Sequence, residues 1–379
     1  MNFMLYWLEQ ARSTAKKMIL CVALVLWAQF YPQPDSVIRG IYINPYQANK
    51  EEYLEEVFAW ADSGLINAIV VDFKSDYGFL TYGSELELAK KINAVKKHFD
   101  TAYLVENAAR HGLKLIARIV CFRDNYLALH KKFGIRDDSG KVWLDYKGMA
   151  WTNPYNEKVH EYLLALTKEI VDKGIKSIAY DYIRFPTDGD VWRIRLTKVK
   201  GSRVDAISRF LKRARKEIDA EIGICVFGFS VWRKLRNEGQ DLEILGKYID
   251  ALYPMLYPSH FSRAFKNEET EMWRNYWIYF DSVNEAFDKL PDSVKVIPFV
   301  QAFEYRAKNY DAGYVFSQMN GIMSAGADGF MIWNARSDYS ICWRALDWVR
   351  NSILRRHAQT CRDNRMRAIG RRHPDKHLP

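Results

Sequence analysis

Between residues 37 and 335, short apolar runs alternate with amphipathic stretches eight times, and no other feature of the chain restricts its fold so much. The runs are VIRGIYIN (37–44), AIVVDFKS (68–75), KLIARIVCF (114–122), SIAYDYIR (177–184), EIGICVFG (221–228), ALYPMLYP (251–258), KVIPFVQAF (295–303) and GFMIWNA (329–335). Each is β-branched or aromatic and apolar on both faces, as parallel strands covered by helices are. Between them, KEEYLEEVFAWADSG sets Tyr53, Leu54, Val57, Phe58 and Ala61 on one helical face and stops at Gly64. TAYLVENAARHG stops at Gly112, NEKVHEYLLALTKEIVDKG at Gly174 and VFSQMNGIMSAG at Gly326. Glycine just past the last periodic residue is a helix stop. Eight βα units in about 315 residues predict one α/β domain, a (β/α)8 TIM barrel. The competing doubly wound sheet needs a glycine-rich dinucleotide turn after its first strand, and INPYQANK has none.

The net charge of +10 belongs to the ends of the chain rather than to this region. Residues 351–379 hold eight Lys/Arg against Asp363 and Asp375, which leaves residues 36–350 at only +3 once residues 1–35 are set aside at +1. A basic face that would bind nucleic acid is therefore not expected. The tail lacks apolar periodicity and is expected to be disordered. At the other end Lys16 and Lys17 precede MILCVALVLWAQF, 13 residues that match the apolar core of a signal peptide. The expected organisation is a signal peptide or membrane anchor at 1–35, a barrel at 36–350 and a basic tail at 351–379. It implies export to a periplasmic or extracellular space, with membrane anchoring where the segment is retained. The five cysteines form no CxxC pair and no histidine cluster accompanies them, so no metal, other cofactor or disulfide framework is expected.

A TIM barrel gathers its chemistry at the C-terminal ends of its strands. Those ends carry Asn44, Asp72, Lys74, Arg118, Asp181, Arg184, Tyr257, His260, Gln301, Trp333 and Asn334. Acids, bases, amides and aromatic rings converging on one mouth suit a carbohydrate. Asp181 stands out because a carboxylate inside the apolar strand SIAYDYIR is costly to bury unless something uses it. Glycoside cleavage needs two carboxyl groups, and Asp181, with Arg118 and Arg184 nearby to hold it ionised, fits the nucleophile or general base. The acid stays open among Asp72, Asp188 and Glu304. Lys74 is the one strand lysine placed for a Schiff base, the requirement of a barrel lyase or aldolase. The long connection 123–154, with Tyr126, Trp143, Tyr146 and Trp151, is expected to form a binding wall.

The segments RGIYIN, NAIVVDFKSDYG, ARIVCF, KVWLDYKGMAWTNPYN, DYIRFPTDG, VFG, GQDLE, YPMLYPSHF, PFVQAF and MIWNA occur in collinear order between residues 37 and 345. Together they resemble the DUF4015 family of glycoside hydrolases, a TIM-barrel group. The resemblance implies an exported hydrolase acting on a polysaccharide or oligosaccharide, with Asp181 and Asp72 as catalytic carboxylates. It also carries over Lys74, Arg184, His260, Gln301 and Asn334 as substrate-binding residues. One position departs from the family pattern: Cys225 precedes Val226-Phe227-Gly228 where an Asp is usual, on the strand that commonly supplies the acid/base carboxylate of glycosidase barrels. The alternative that follows is a catalytically silent, carbohydrate-binding barrel. On that reasoning Cys225→Asp is expected to raise activity.

Overall fold

Eight parallel strands close into a ring in the computed structural model, which describes residues 37–352 apart from residue 131. The expected leader, anchor and basic tail lie outside the described residues. The strands are β1 (Ile38–Ile43), β2 (Ala68–Lys74), β3 (Lys114–Val120), β4 (Ser177–Asp181), β5 (Glu221–Phe227), β6 (Ala251–Met255), β7 in two pieces (Lys295–Val296 and Phe299–Gln301) and β8 (Gly329–Trp333). Each pairs in parallel with the next, β8 returns to β1 through Ile41↔Ile332, and β6 meets both pieces of β7 through Leu252↔Val296 and Phe299↔Met255. The gap in β7 falls at Pro298, which has no N–H to give to a ladder. Its carbonyl still accepts from Met331 N at 2.9 Å.

The barrel interior is filled by side chains of unequal size, including Tyr42, Val70, Ala179, Cys225, Tyr253, Phe299 and Met331. Glycine makes room for two of the largest. A Cβ on Gly40 would lie 2.1 Å from the Met331 sulfur, and one on Gly223 would lie 2.3 Å from the Tyr253 ring.

The main outer helices are α1 (Glu51–Asp62), α2 (Thr101–Arg110), α3 (Glu157–Asp172), α4 (Arg203–Glu217), α5 (Glu271–Phe287) and α6 (Ala312–Ser324), and residues 342–352 are helical after β8. The starts of α2 to α6 are set by side chains that accept from free N–H groups: Asp100, Asn156, Ser202 with Asp205, Thr270 and Asp311. The expected stops hold. Gly64, Gly112, Gly174 and Gly326 all have positive φ, from 64° to 100°.

Two expectations need correction. The β5–β6 connection holds only a single α-turn, Leu242–Leu245, and two 3-10 turns, Gly228–Ser230 and Gly246–Tyr248, instead of a full helix. Its sequence WRKLRNEGQD is polar without a 3.6-residue apolar period, and Gly239 turns at φ 82°. The strands also end earlier than their apolar runs. β4 stops at Asp181 because Tyr182 adopts φ 46°, a left-handed conformation rare for a bulky residue.

Candidate active site

The early stop of β4 is what builds the site. Five buried residues carry the chain to Asp181, and the left-handed Tyr182 then aims its N–H at the Asp181 Oδ1, 2.6 Å away. From the neighbouring strand β3, Arg118 brings Nε to 2.8 Å and Nη2 to 2.6 Å of the other oxygen, Oδ2. All these partners are donors, so Asp181 functions as an acceptor.

Arg118 serves two further carboxylates. Its Nη1 lies 2.7 Å from Asp72 Oδ1 and its Nη2 2.8 Å from Asp76 Oδ1. Three acids therefore share one guanidinium, itself only 2% exposed. Burial is the main influence on Asp72: it pushes the pKa up to about 6, Arg118 opposes this, and Asp76 adds to it. Tyr42 donates to Asp72 Oδ2 at 2.9 Å and stacks on Trp333, whose ring also lies under Arg118.

Asp181 and Arg118 line a cavity of about 880 Å³ at the strand C-termini. Arg184, Tyr257, His260 and Trp333, all expected at the mouth, line it too. Burial, reinforced by Arg306, pushes the pKa of His260 down, and its Nδ1 sits 3.0 Å from Ser259 Oγ. The long connection after β3 forms a wall with two of its four expected aromatics, while Trp143 is buried and neither it nor Tyr126 lines the cavity. Antiparallel bridges Arg123↔Trp151 and Leu144↔Ala150 fold the connection back on itself, which brings Tyr146 and Trp151 to the cavity.

The other expected residues do different work. Asp72 is not part of the cavity lining and meets Arg118 from within the protein. Lys74 is fully buried, paired with Asp124 at 2.8 Å and donating to Val120 O at 2.7 Å, so neither a substrate role nor a Schiff base is open to it. Asn44 accepts from Tyr46 N and Gln47 N, which fixes the turn after β1. Gln301 is buried and bonded to Ser259 N, Phe303 O and Tyr305 O; Asn334 holds Ala302 O and Arg336 N. None of these lines the cavity, because the amides are consumed in shaping the loops around it. Among the candidate acids, Asp188 lines the cavity while exposed Glu304 does not.

Sequence reading missed Asp76, Tyr182, Asp145 and Arg123. Asp76 sits in the turn that Gly78 N closes on Ser75 O at 2.9 Å, directly beyond β2. A tight turn after a strand was the available signal, since it holds its residues at the strand top. Asp145 accepts from Trp151 Nε1 at 3.1 Å and pairs with Arg123 at 3.3 Å, an association between distant residues that no local pattern announces. Cys225, the position of the family departure, is 1% exposed inside the barrel, and burial pushes its thiol up.

The family described as "Putative glycosyl hydrolase domain", DUF4015, matches residues 40–339. The chain belongs to this family. No curated protein matches it. Among solved structures, the PgaB (BpsB) glycoside hydrolase domain from Bordetella bronchiseptica is similar at a TM-score of 0.58 and 10% identity, covering 83% of this chain and 98% of that one. An α-galactosidase from Lactobacillus brevis is similar at a TM-score of 0.51 and 11% identity, over 84% of this chain and 40% of its own. At such identities the likeness establishes the barrel fold.

Proposed function

We propose that this glycosyl hydrolase cleaves an oligosaccharide or polysaccharide bound in the strand-top cavity: Asp181 attacks the anomeric carbon as Asp76 gives its proton to the leaving oxygen, and water that Asp76 then deprotonates hydrolyses the sugar–Asp181 ester. The observation that carries the proposal is the shared guanidinium. Asp181 Oδ2 and Asp76 Oδ1 lie 2.6 and 2.8 Å from the same Arg118 nitrogen, so the two oxygens are at most about 5.4 Å apart. That ceiling falls short of the roughly 6.5–9.5 Å that inversion needs to admit a water between the carboxyl groups, which favours the retaining mechanism, whose groups stand closer together, about 5–5.5 Å apart.

The roles follow from surroundings. Asp181, with two arginine N–H groups and a backbone N–H on its oxygens, is the anion of the pair. Asp76, its side chain 38% exposed and lining the cavity, is the carboxyl group of the Arg118 cluster that a bound substrate reaches, whereas Asp72 does not line it. Trp333 and Tyr257 offer apolar ring surface to the sugar faces. Export of the protein, with its N-terminal segment as leader or anchor, would place it where such polymers occur.

The test is turnover of aryl-glycoside and polysaccharide panels with product stereochemistry read by NMR. Retention is expected. Asp181→Asn should lower kcat by about 10³-fold or more on every substrate, in line with losses of essential catalytic groups. Asp76→Asn should spare the first step for substrates with nitrophenol leaving groups, which need no proton, and slow hydrolysis of the glycosyl-enzyme, so that they give a burst of nitrophenol followed by slow turnover while other substrates lose both steps. Inversion, or equal activity in Asp181→Asn, refutes the assignment. Sugar binding by the wild type without turnover favours the silent barrel instead.

A further inference from the structure

We propose, resting on the hydrolase reading above, that the substrate is an acidic saccharide and that Arg184 binds its oxyanion, a uronate carboxylate or a sulfate ester. Arg184 follows Asp181 by three residues and is 6% exposed. Three aromatic faces enclose its guanidinium: Phe227 at 4.4 Å, Trp151 at 4.9 Å and Tyr182 at 5.0 Å from their ring centroids. Its Nη1 donates to Phe185 O at 3.1 Å and Thr187 Oγ1 at 3.2 Å.

The remaining edge is unused. Nε and Nη2 donate to no atom among the described residues, and neither is sealed away from the cavity surface. No carboxylate pairs with Arg184 among those residues, although Arg118 has three such partners and Arg123 has Asp145. Asp181 and Asp188 act on it only from a distance, and burial pushes its pKa down.

A cation stripped of water and given no counter-charge is unfavourable, and aromatic faces offset only part of that cost. The Nε and Nη2 hydrogens form the flat fork that fits an oxyanion through two parallel bonds. A neutral hydroxyl would satisfy one N–H and leave the charge unmatched. A purely structural arginine, holding the loop through Nη1, would have no reason to present its free edge to the cavity. The cavity lining as a whole is balanced, with Arg118, Arg123, Lys147, Arg184 and Arg233 against Asp76, Asp145, Asp181, Asp188 and Glu238, so the preference rests on the unpaired edge of Arg184, and the carboxylate cluster on Arg118 would repel an acid placed there. The acidic group therefore sits beside Arg184, apart from the bond over Asp181.

The probes are oligosaccharide pools from a galacturonan, a glucuronan and a sulfated galactan, each beside its carboxyl-reduced or desulfated counterpart with unchanged linkages. Binding is measured by tryptophan fluorescence on full-length Asp181→Asn, and turnover on the wild type. At least one acidic pool should bind on the order of tenfold or more tighter than its neutral counterpart, the scale of hydrogen bonds to charged groups. Arg184→Gln should abolish that preference, read as the ratio of acidic to neutral binding within the variant, and Arg184→Lys should keep part of it. Equal binding of acidic and neutral pools overturns the proposal whether or not the variants fold, and so does a preference that survives Arg184→Gln. Acid-selective, Arg184-dependent binding with no cleavage supports the anion site and sinks the hydrolase reading. Preferential cleavage of neutral pools does the reverse.

Discussion

Asp72→Asn isolates the electrostatic tension at the centre of the barrel. Asp72 is buried against Arg118 and Tyr42, and its pKa rises from the ordinary 3.8 to about 6. The folded chain therefore holds this proton more tightly than the unfolded chain does. Protonation is linked to stability through that difference, so the Asp72 contribution favours folding at low pH and is lost as pH rises through about 6. The whole effect between low pH and pH 7 is about 3 kcal/mol, from roughly two pKa units at about 1.4 kcal/mol each. Between pH 7 and pH 5, where most other carboxylates stay ionised, linkage gives about 1.3 kcal/mol.

Asparagine keeps the shape and removes the titration. Guanidinium unfolding followed by tryptophan fluorescence at pH 5 and pH 7 gives four stabilities. The wild type should gain about 1.3 kcal/mol more than Asp72→Asn on moving from pH 7 to pH 5. Using the difference between the two proteins cancels groups such as Glu217 and Asp205, whose pKa values are lowered and which lose stabilising interactions at still lower pH. Parallel pH dependence in the two proteins, or a wild type that loses stability relative to the variant on acidification, refutes the claim that Asp72 carries the strain of the cluster.

Lys74→Met should cost about 3–5 kcal/mol, because it leaves Asp124 as an unpaired buried charge. Denaturant melts measure that loss, and turnover per folded molecule should be unchanged; a collapse of turnover with stability intact would return Lys74 to the site. Gly78→Ala should destabilise by more than ~1 kcal/mol, because φ is 96° and a Cβ would come within 2.8 Å of the Asp124 backbone. Since the same turn holds Asp76, activity should fall together with thermal stability, and an unaffected melting temperature would contradict the steric reasoning.

The ring of strands was legible because burial on both faces leaves a continuous apolar run, and four helix ends carry a glycine whose positive φ the backbone requires. Asp181 was legible for a related reason: a charge inside an apolar strand conflicts with its surroundings. Residues that resolve a conflict somewhere else were harder to read. Lys74 and Gln301 resemble site residues in one dimension because strand tops point at the mouth. Their partners, Asp124 fifty residues on and Gln318 on α6, appear only in three dimensions. Asp76 was hidden in the opposite way, since turn acids are common and its meeting with Arg118 spans 42 residues. Conflict with the local environment could be read from sequence, whereas long-range satisfaction could not.

That distinction decides what Cys225→Asp should do. By the family pattern, restoring an acid on β5 raises activity. The geometry predicts the opposite. Cys225 is 1% exposed, packs in the interior cluster with Tyr42, Ala179, Tyr257 and Phe299, and does not line the cavity. Arg118, the cation that acts on it, already serves Asp72, Asp76 and Asp181. A fourth carboxylate would lack both water and an unshared counter-charge, which costs about 3–5 kcal/mol when a buried charge is left uncompensated. It would remain protonated well above the ordinary aspartate range, and out of reach of a glycosidic oxygen. The variant should therefore melt at lower temperature than the wild type at pH 7, recover part of the difference at pH 5, and show no gain in turnover. A gain in kcat with full stability at pH 7 would mean that Arg118 can serve four acids, and that the proton for the leaving group enters from β5 rather than from Asp76.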